Sequence, residues 1–402
     1  QPSQMRSLLS SVINPALRDF ERWMGTLADE QAKKAAQRKL ERLKSLSWTD
    51  KALEALGGHP DLALKVSELN PPGVLNYKNG PYTIDGEPAP RAVCTKQLGV
   101  EFNGNAANPT AFLRFLERAL PEGTVQTALD LVGHALLRKR NSQYLWIFEG
   151  PPAAGKSTFV DLMAMVLGDY SVSPDTSLLF SKGNMESNGP NEDLFALNGA
   201  AFAAFPEGPE GAPLNPSRCK VLAGGDKIST RPLYGHLTQF ENVAEIVLVT
   251  NHETKLNVED GGLRRRIKRI RFGNPVAESD MDPQLKDKLI AEGEAIMSLL
   301  LKHARKVREH GIRISAQVEA DTAAMLANQD ILQQFIDERL ELDPEATCRG
   351  PKVYEAYRDW CVGNGIAFRS AAKFYNALEK KLLPIEPYKR DGSKAYRGMK
   401  LR

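Results

Sequence analysis

The chain has 402 residues, of which 42% are hydrophobic and 26% are charged. These proportions are ordinary for a soluble globular protein and exclude a disordered or fibrous one. The length predicts two to four domains. No apolar run approaches the roughly 20 residues that cross a bilayer, so we expect no membrane association and a cytoplasmic location. The start at Gln1 rather than Met suggests a piece of a longer protein that lacks an upstream domain.

The charge is unevenly distributed along the chain. Residues 369–402 contain ten Lys and Arg and three acidic residues, which gives this segment a net charge of +7. Because the whole chain has a net charge of +3, the remaining residues have a net charge of −4. A basic end on a mildly acidic body predicts one module that binds a polyanion. The cysteines show no CxxC spacing, which argues against a zinc site and against a disulfide framework. They are Cys94, Cys219, Cys348 and Cys361.

In chain order, the first part of the sequence is mostly of helical type. Good helix formers fill 27–43, and turn residues then punctuate 70–88 around short β-like pieces. Apolar residues return at helical spacing in 109–120 and 125–137. We therefore predict a helical N-terminal region.

A different pattern begins near residue 144. Short apolar runs at 145–148 and 246–249 are typical of buried strands in a parallel sheet. Helical spacing resumes from about 280 to 309, and a small helical block from about 331 ends in a hairpin around Asp391–Gly392. The predicted regions are a helical N-terminal region at 1–140, an α/β domain at 141–275, a helical lid or linker at 276–325 and a C-terminal domain at 326–402.

The segment Gly150–Ser157 fits the phosphate-binding pattern G-x-x-x-x-G-K-[ST] in full. Glycines let backbone N–H groups turn inward around phosphate oxygens, and the following helix points its N-terminus at the same anion. In this motif Lys156 reaches the β- and γ-phosphates and Ser157 ligates Mg²⁺, so the expected cofactors are ATP and Mg²⁺. A chance glycine-rich loop is disfavoured by the strand-like run before it and the helical spacing after it. The predicted nucleotide-binding residues are Gly150, Pro151, Pro152, Ala153, Ala154, Gly155, Lys156, Ser157 and Thr158.

Four further segments follow this loop in a fixed order. An apolar strand ends in an acid at Phe202–Glu207, and K-x-L-x-G-G-D-x-I-x-x-R follows at 220–231. The strand Ile246–Asn251 ends in Thr-Asn, and Gly261–Ile267 contains three consecutive arginines. This ordered set resembles the superfamily 3 helicases, specifically the branch of phage, satellite-phage and poxvirus primase-helicases. The resemblance runs from about residue 70 to the C-terminus.

The resemblance implies an AAA+-type P-loop ATPase domain and assigns roles to residues at matching positions. Glu207 resembles the Walker B acid, which would hold Mg²⁺ together with Ser157, and Asn251 resembles the γ-phosphate sensor. Arg266 resembles the arginine finger that a neighbouring subunit supplies, with Arg265 as the nearest rival. Taken singly, these residues would be an ordinary loop carboxylate, a strand cap and a solvated basic face. Their order along the chain favours the catalytic interpretation.

One position departs from the family pattern. The family often has two adjacent acids at the Walker B position, whereas Pro206 precedes Glu207 here. Either Glu210 or a water held by Ser157 is left to complete the Mg²⁺ shell.

The resemblance also implies where DNA binds. Lys227–Phe240 would form the hairpin that lines a ring channel, with its tip near Tyr234–Gly235–His236. The block from Ile331 resembles a winged-helix domain, with a recognition helix at 369–381 whose Phe374 and Leu378 face the core, and a wing at 389–394. The rival interpretations are a solvated turn histidine and a basic tail on an oligomerisation domain. The predicted DNA-binding residues are Lys227, Arg231, Tyr234, His236, Arg369, Lys373, Lys380, Lys389, Arg390 and Lys394.

The resulting hypothesis is an ATP-dependent DNA helicase or translocase that forms a hexameric homo-oligomer. It would bind single-stranded and duplex DNA, move 3′ to 5′, and act in replication of a phage, virus or other mobile element. The segment 71–137 resembles the assembly collar of the family, and no catalytic primase signature is visible, so a primase would be a missing domain or a partner. Two rivals stay open: an AAA+ remodeller of protein substrates and a nucleotide-regulated origin-binding module.

Overall fold

In the computed structural model, the described residues are 18–44, 68–139, 142–180 and 191–402, except 234, 236, 259, 281, 383, 384 and 391. The chain divides into two compact units, Gln1–Leu69 and Asn70–Arg402. In the first unit, residues 18–25 are helical and helix α1 spans Glu30–Lys44. Ala36 and Leu40 lie four positions apart and are buried, so α1 is amphipathic.

The second unit opens with a hairpin and two helices. They are β1 Val74–Tyr77, β2 Gly80–Thr83, α2 Thr110–Ala119 and α3 Thr124–Leu137. Helix α3 is buried on nearly every face, because it is apolar almost all round. Its polar residues Asp130 and His134 are buried with it, so both need partners in the interior.

A five-stranded parallel sheet forms the centre of the second unit. Its strands are β3 Leu145–Glu149, β4 Ser171–Val172, β5 Phe202–Phe205, β8 Glu245–Thr250 and β9 Ile267–Arg271. They lie in the order β4–β5–β8–β3–β9. Every residue of β3 and β5 is buried, as both faces of a parallel sheet are covered. The predicted α/β architecture with a central parallel sheet is confirmed.

The strand order creates a crevice at β3. After β3 the chain runs to β4 and β5 on one side of the sheet, and it later reaches β9 on the other side. The register aligns Glu149 at the end of β3 with Thr250 and Arg271 at the ends of its neighbours. In open parallel sheets, ligands bind outside the carboxyl ends of the strands where the order reverses. This edge of the sheet is therefore the expected ligand site.

Helices cover both faces of the sheet. They are α4 Lys156–Leu167, α5 Ser177–Phe180, α6 Glu192–Ala196, α7 Pro216–Gly224, α8 Gly261–Arg264, α9 Leu285–Ala291, α10 Gly293–His310 and α11 Ala316–Asn328. On one face, Trp146 and Phe148 share a core with α3, α4 and α10, and on the other, Leu145 and Ile147 share a core with α7. Among the described residues, no helix combines the length and apolar character that crossing a membrane takes.

A buried carboxylate ties α3 to α10 and the segment after it. Asp130 Oδ1 lies 2.5 Å from His303 Nδ1, and Arg313 Nε donates to Asp130 Oδ2 at 2.7 Å. Residues on both sides of position 140 and of position 276 contribute to one core. The fold thus joins regions that the sequence pattern separates, and the predicted domain limits stay predictions.

The segment between α7 and β8 forms a separate antiparallel hairpin. Its strands are β6 Lys227–Thr230 and β7 Thr238–Glu241. Ile228 and Thr230 are buried while Lys227 and Ser229 are exposed, which is the alternation of a half-buried strand. The segment that resembles the channel hairpin is therefore a hairpin, and the predicted tip residues Tyr234 and His236 lie outside the described residues.

The C-terminal part has its own core beneath a three-stranded sheet. Its elements are α12 Ile331–Arg339, β10 Leu340–Arg349, α13 Gly350–Gly363, α14 Ala371–Lys381, β11 Glu386–Arg390 and β12 Ser393–Leu401. The antiparallel strand order is β10–β12–β11. Phe374 and Leu378 are fully buried, as predicted. Arg390 pairs with Ser393, so the predicted turn at Asp391–Gly392 lies between them, with Asp391 outside the described residues.

Strand β10 was not predicted from the sequence. It carries Pro344, a residue that strands accept mainly at edges and irregularities, and its register with β12 shifts between Leu342 and Thr347. As an edge strand it can accommodate both features.

Candidate active site

The P-loop leaves the carboxyl end of β3 and enters α4. A Cβ atom on Gly150 would lie 2.0 Å from the Phe272 carbonyl oxygen, so only glycine fits there. Gly155 has a φ of +95° and Ala153 a φ of +60°, both in the left-handed region. Alternating the backbone in this way turns successive N–H groups toward one concavity, which suits a phosphate. The local geometry fits the motif's predicted ligand.

Lys156 points back into its own loop. Its Nζ donates to the carbonyl oxygens of Gly150 at 2.6 Å and Pro151 at 2.8 Å, and the side chain is only 5% exposed. Burial lowers the pKa of the Lys156 ammonium, while the charges of Glu207 and Glu149 act in the opposite direction. The ammonium is therefore held by two carbonyl groups of its own loop, and Ser157 beside it is exposed.

Glu207 and Asn251 meet at the ends of adjacent strands. Asn251 donates its backbone N–H to Glu207 Oε1 and its side-chain Nδ2 to Oε2, both at 2.8 Å. The two residues are distant in sequence but follow β5 and β8, which are hydrogen-bonded neighbours. The predicted acid and the predicted sensor thus lie together at the same sheet edge as the P-loop.

The sequence interpretation missed an ion pair beneath the P-loop. Glu149, the last residue of β3, accepts a hydrogen bond from Arg269 on β9 at 2.5 Å. Burial raises the pKa of the Glu149 carboxyl, and Arg269 opposes that shift. An acid in the last position of an otherwise apolar strand was the available signal, because burying a charge requires a partner.

A cavity of about 750 Å³ adjoins the P-loop between α2, α4 and α9. Its walls include the apolar side chains of Phe115, Leu162 and Leu289, and its polar groups include Arg114 and Lys286. A largely apolar cleft of this size with a few polar groups is typical of a small-molecule site.

The predicted finger residues lie at the opposite edge of the sheet. The backbone carbonyl of Arg266 accepts from the Leu145 N–H at the start of β3, five residues before the P-loop begins. At about 3.3 Å per residue, this places the two edges roughly 16 Å apart. The Arg266 side chain is 8% exposed and donates to the Gly262 carbonyl oxygen at 2.8 Å, whereas Arg265 is exposed. Of the two, Arg265 is the one presented outward.

The predicted DNA-binding residues fall into two separate groups. On the β6–β7 hairpin, Lys227 and Arg231 are exposed, and so are Leu233 and Leu237 near the tip, at 56% and 75%. Because these side chains are exposed, the hairpin can contact an extended polymer.

In the C-terminal part, most of the predicted residues are exposed. They are Lys373, Lys380, Lys389 and Arg390. Arg369 is partly buried, and Lys394 pairs with Glu379 at 2.5 Å and lies 5.3 Å from the Tyr375 ring centre. Lys394 is therefore engaged within the domain, while the first four are available to a polyanion.

No family model matches the chain. It is 26% identical over 319 residues to "Putative helicase L207/L206" of Acanthamoeba polyphaga mimivirus, which covers 72% of this chain and 33% of that protein. It is 25% identical over 353 residues to "Putative primase C962R" of African swine fever virus (strain Badajoz 1971 Vero-adapted), covering 79% and 37%. The chain thus spans about a third of the length of the curated relatives it matches.

A solved structure shares the fold. The A form apo structure of the NrS-1 C-terminal region has a TM-score of 0.50 and 13% identity, with 88% of this chain and 89% of that chain covered. Together with the viral relatives, this confirms the resemblance to the superfamily 3 primase-helicase branch.

Proposed function

We propose that this chain is the ATP-hydrolysing motor of a DNA helicase that acts in replication. The observation that carries the proposal is the meeting of the P-loop, Glu207 and Asn251 at one sheet edge, with Arg265 at the other. The first edge offers what nucleotide hydrolysis needs from one subunit, and the second offers a cation to a neighbour. The viral relatives, named as helicase and primase, support replication as the setting.

The P-loop residues fit Mg²⁺-ATP. The backbone concavity would hold the phosphates, Ser157 and Glu207 would hold the metal ion directly or through water, and Lys156 would reach the β- and γ-phosphates. When bound, Mg²⁺ neutralises charge on the phosphates. Asn251 fixes both oxygens of Glu207, so the carboxylate is positioned before nucleotide arrives.

The adjoining cavity would take the base and ribose. It begins at the P-loop residues Ala153 and Gly155, so a nucleotide with its phosphates in the loop extends into it. Its apolar lining suits a flat aromatic base, and its volume is of the right order for one nucleotide.

The placement of the P-loop and Arg265 at opposite edges of the sheet favours a ring of subunits. An arginine roughly 16 Å from its own P-loop cannot reach that loop's γ-phosphate. In a closed ring, head-to-tail contacts place one subunit's far edge against the next subunit's nucleotide, where Arg265 would stabilise the charge that develops during hydrolysis. Arg266, bound to Gly262, would anchor the turn that presents Arg265.

DNA would be bound in two places. The β6–β7 hairpin would grip a single strand in the ring channel through Lys227 and Arg231. The C-terminal part, which we interpret as a winged-helix domain, would contact duplex phosphates through α14 and the β11–β12 hairpin. Phosphate contacts of this kind give affinity without sequence specificity.

One observation favours a second candidate, an AAA+ remodeller of proteins. Leu233 and Leu237 give the hairpin tip an exposed apolar surface, which suits an extended polypeptide better than a polyanion. The exposed cations of the C-terminal part favour DNA.

ATPase measurement with two added polymers separates these candidates. We expect hydrolysis to rise with single-stranded DNA and to stay at its basal rate with an unfolded polypeptide such as casein. Mass measurement with a non-hydrolysable ATP analogue should show a hexamer. Stimulation by casein alone would replace the helicase with the remodeller, and no hydrolysis under any condition would overturn both.

A further inference from the structure

Glu149 has one carboxylate oxygen that the ion pair does not use. Its Oε1 accepts from Arg269, while Oε2 is buried and has no hydrogen-bond partner among the described residues. The side chain is 8% exposed, and the next residue is the first glycine of the P-loop. An unpaired buried carboxylate oxygen is costly, so its retention calls for an explanation.

The Lys156 ammonium is held by the backbone that directly follows Glu149. The ammonium has three N–H donors, and two of them bind the carbonyl oxygens of Gly150 and Pro151. These carbonyls belong to the two residues that directly follow Glu149. Burial lowers the pKa of the Lys156 ammonium, and the negative charges of Glu207 and Glu149 act in the opposite direction, which is an attraction between each carboxylate and the ammonium.

Arg269 is the cation that binds the Glu149 carboxylate. The guanidinium binds Glu149 through a single N–H, and its Nε is buried without a partner in the part of the chain that the structure describes. Arginine and carboxylate can form two parallel hydrogen bonds, but this pair forms one. The charge of Glu149 is therefore only partly compensated by Arg269.

We propose that Glu149 is a positioning residue that holds the Lys156 ammonium in its withdrawn place, and that Arg269 sets how strongly it does so. The inference rests on the proposed nucleotide-binding function. To contact the phosphates, Lys156 must leave the two carbonyls and move away from Glu149. The free-energy cost of that move then lowers the affinity for nucleotide.

The two partners of one ion pair therefore give effects of opposite sign. Glu149→Gln removes the charge that retains Lys156 and should tighten ATP binding about fivefold, or about 1 kcal/mol. Arg269→Gln leaves Glu149 less compensated and should weaken ATP binding by about the same factor. The measurement is equilibrium binding of a fluorescent ATP analogue, without turnover, with thermal melts of each variant to verify folding.

A merely structural ion pair predicts another result. Losing either partner would then distort the same loop, so both variants would bind ATP more weakly, and this outcome would overturn the proposal. Glu319→Gln is the matched control, because it removes an acid that pairs with Lys268 on the same strand β9. We expect that variant to bind ATP as the parent does.

A second arm tests the route through Lys156. In a Lys156→Met background, Glu149→Gln should no longer alter affinity, since the residue it retains is gone. An equal shift in that background would mean that Glu149 acts on the phosphates directly and would overturn the role proposed for Lys156. If the parent chain fails to bind ATP at all, it is the proposed function that fails rather than this inference.

Discussion

The P-loop edge of the sheet and the exposed cations of the C-terminal part hold their polar groups in opposite ways. Lys156 and Glu207 each take part in two hydrogen bonds with defined partners. Lys373, Lys380 and Lys389 are exposed on the surface. The first region depends on geometry, so one substitution should remove most of its activity. The second depends on summed charge, so its effects should be small and additive.

The largest effect is expected at Arg265. Arg265→Ala should lower ATP hydrolysis by about a thousandfold while nucleotide binding persists, because an arginine finger acts only on the transition state. Arg264→Ala, an exposed neighbour on α8, is the control and should hydrolyse ATP normally. If Arg266→Ala alone gives the deep loss, the buried arginine is the finger, as the sequence suggested first.

Mixed rings test whether the finger acts between subunits. Arg265→Ala and Lys156→Ala chains should each hydrolyse ATP at only a small fraction of the parental rate, but a mixed ring would contain interfaces with an intact P-loop and an intact finger. Partial ATPase activity should therefore return on mixing. Its absence at every ratio, in rings shown to exchange subunits, would speak against a finger supplied by the neighbour.

Lys156→Ala should lower hydrolysis by about a few hundredfold, the range seen when one preorganised cation or donor is removed from a reacting group. The fold should persist, because the lost contacts are two hydrogen bonds within one loop. ATPase assays and thermal melts check both statements. Turnover at the parental rate would show that the loop does not hold the reacting phosphates.

Asn251→Ala should lower hydrolysis by about a hundredfold with little loss of ATP affinity, because Glu207 would lose the side-chain donor to its Oε2 and keep only the backbone N–H on Oε1. Single-turnover measurements separate the two quantities. Asn251→Asp is a second variant for the same test, since it places a second negative charge next to Glu207. Normal hydrolysis by Asn251→Ala would mean that the Glu207 contact is only a strand-end cap.

The smallest effect is expected in the C-terminal part. Replacing four exposed cations by Gln should reduce the slope of log K against log salt for duplex DNA by about 3.6, at about 0.9 per phosphate contact. The four are Lys373, Lys380, Lys389 and Arg390. Exposed Lys302 and Lys306 on α10 provide a control pair. An unchanged slope would favour the oligomerisation domain over the winged helix.

Contiguous motifs carried most of what the sequence could predict. The P-loop needs its residues within one turn, so its pattern is readable directly, and the apolar runs of β3 and β8 identified the central sheet. The roles of Glu207 and Asn251 could be predicted only from the order of the motifs along the chain, since the two residues follow different strands. The Glu149–Arg269 pair had no such order to reveal it, because its partners lie 120 positions apart.

Other features depended on packing that no local pattern contains. Three consecutive arginines give no indication of which one is buried, and the structure buries Arg266 after the short helix α8 while Arg264 and Arg265 stay exposed. Strand β10 was missed because its acidic residues and Pro344 contradict strand propensity. Pairing with β12 overrides that local preference.

The burial of α3 has a consequence for how the P-loop region can be fused to other domains. Leu129, Leu131 and Val132 of this helix lie in the same core as Phe148 on β3 and Phe159 on α4. A chain cut at residue 140 would expose that apolar surface and is expected to aggregate. We therefore expect a transferable unit to begin near Asn70 and to keep helices α2 and α3 together with the P-loop region when it is fused to a new partner domain.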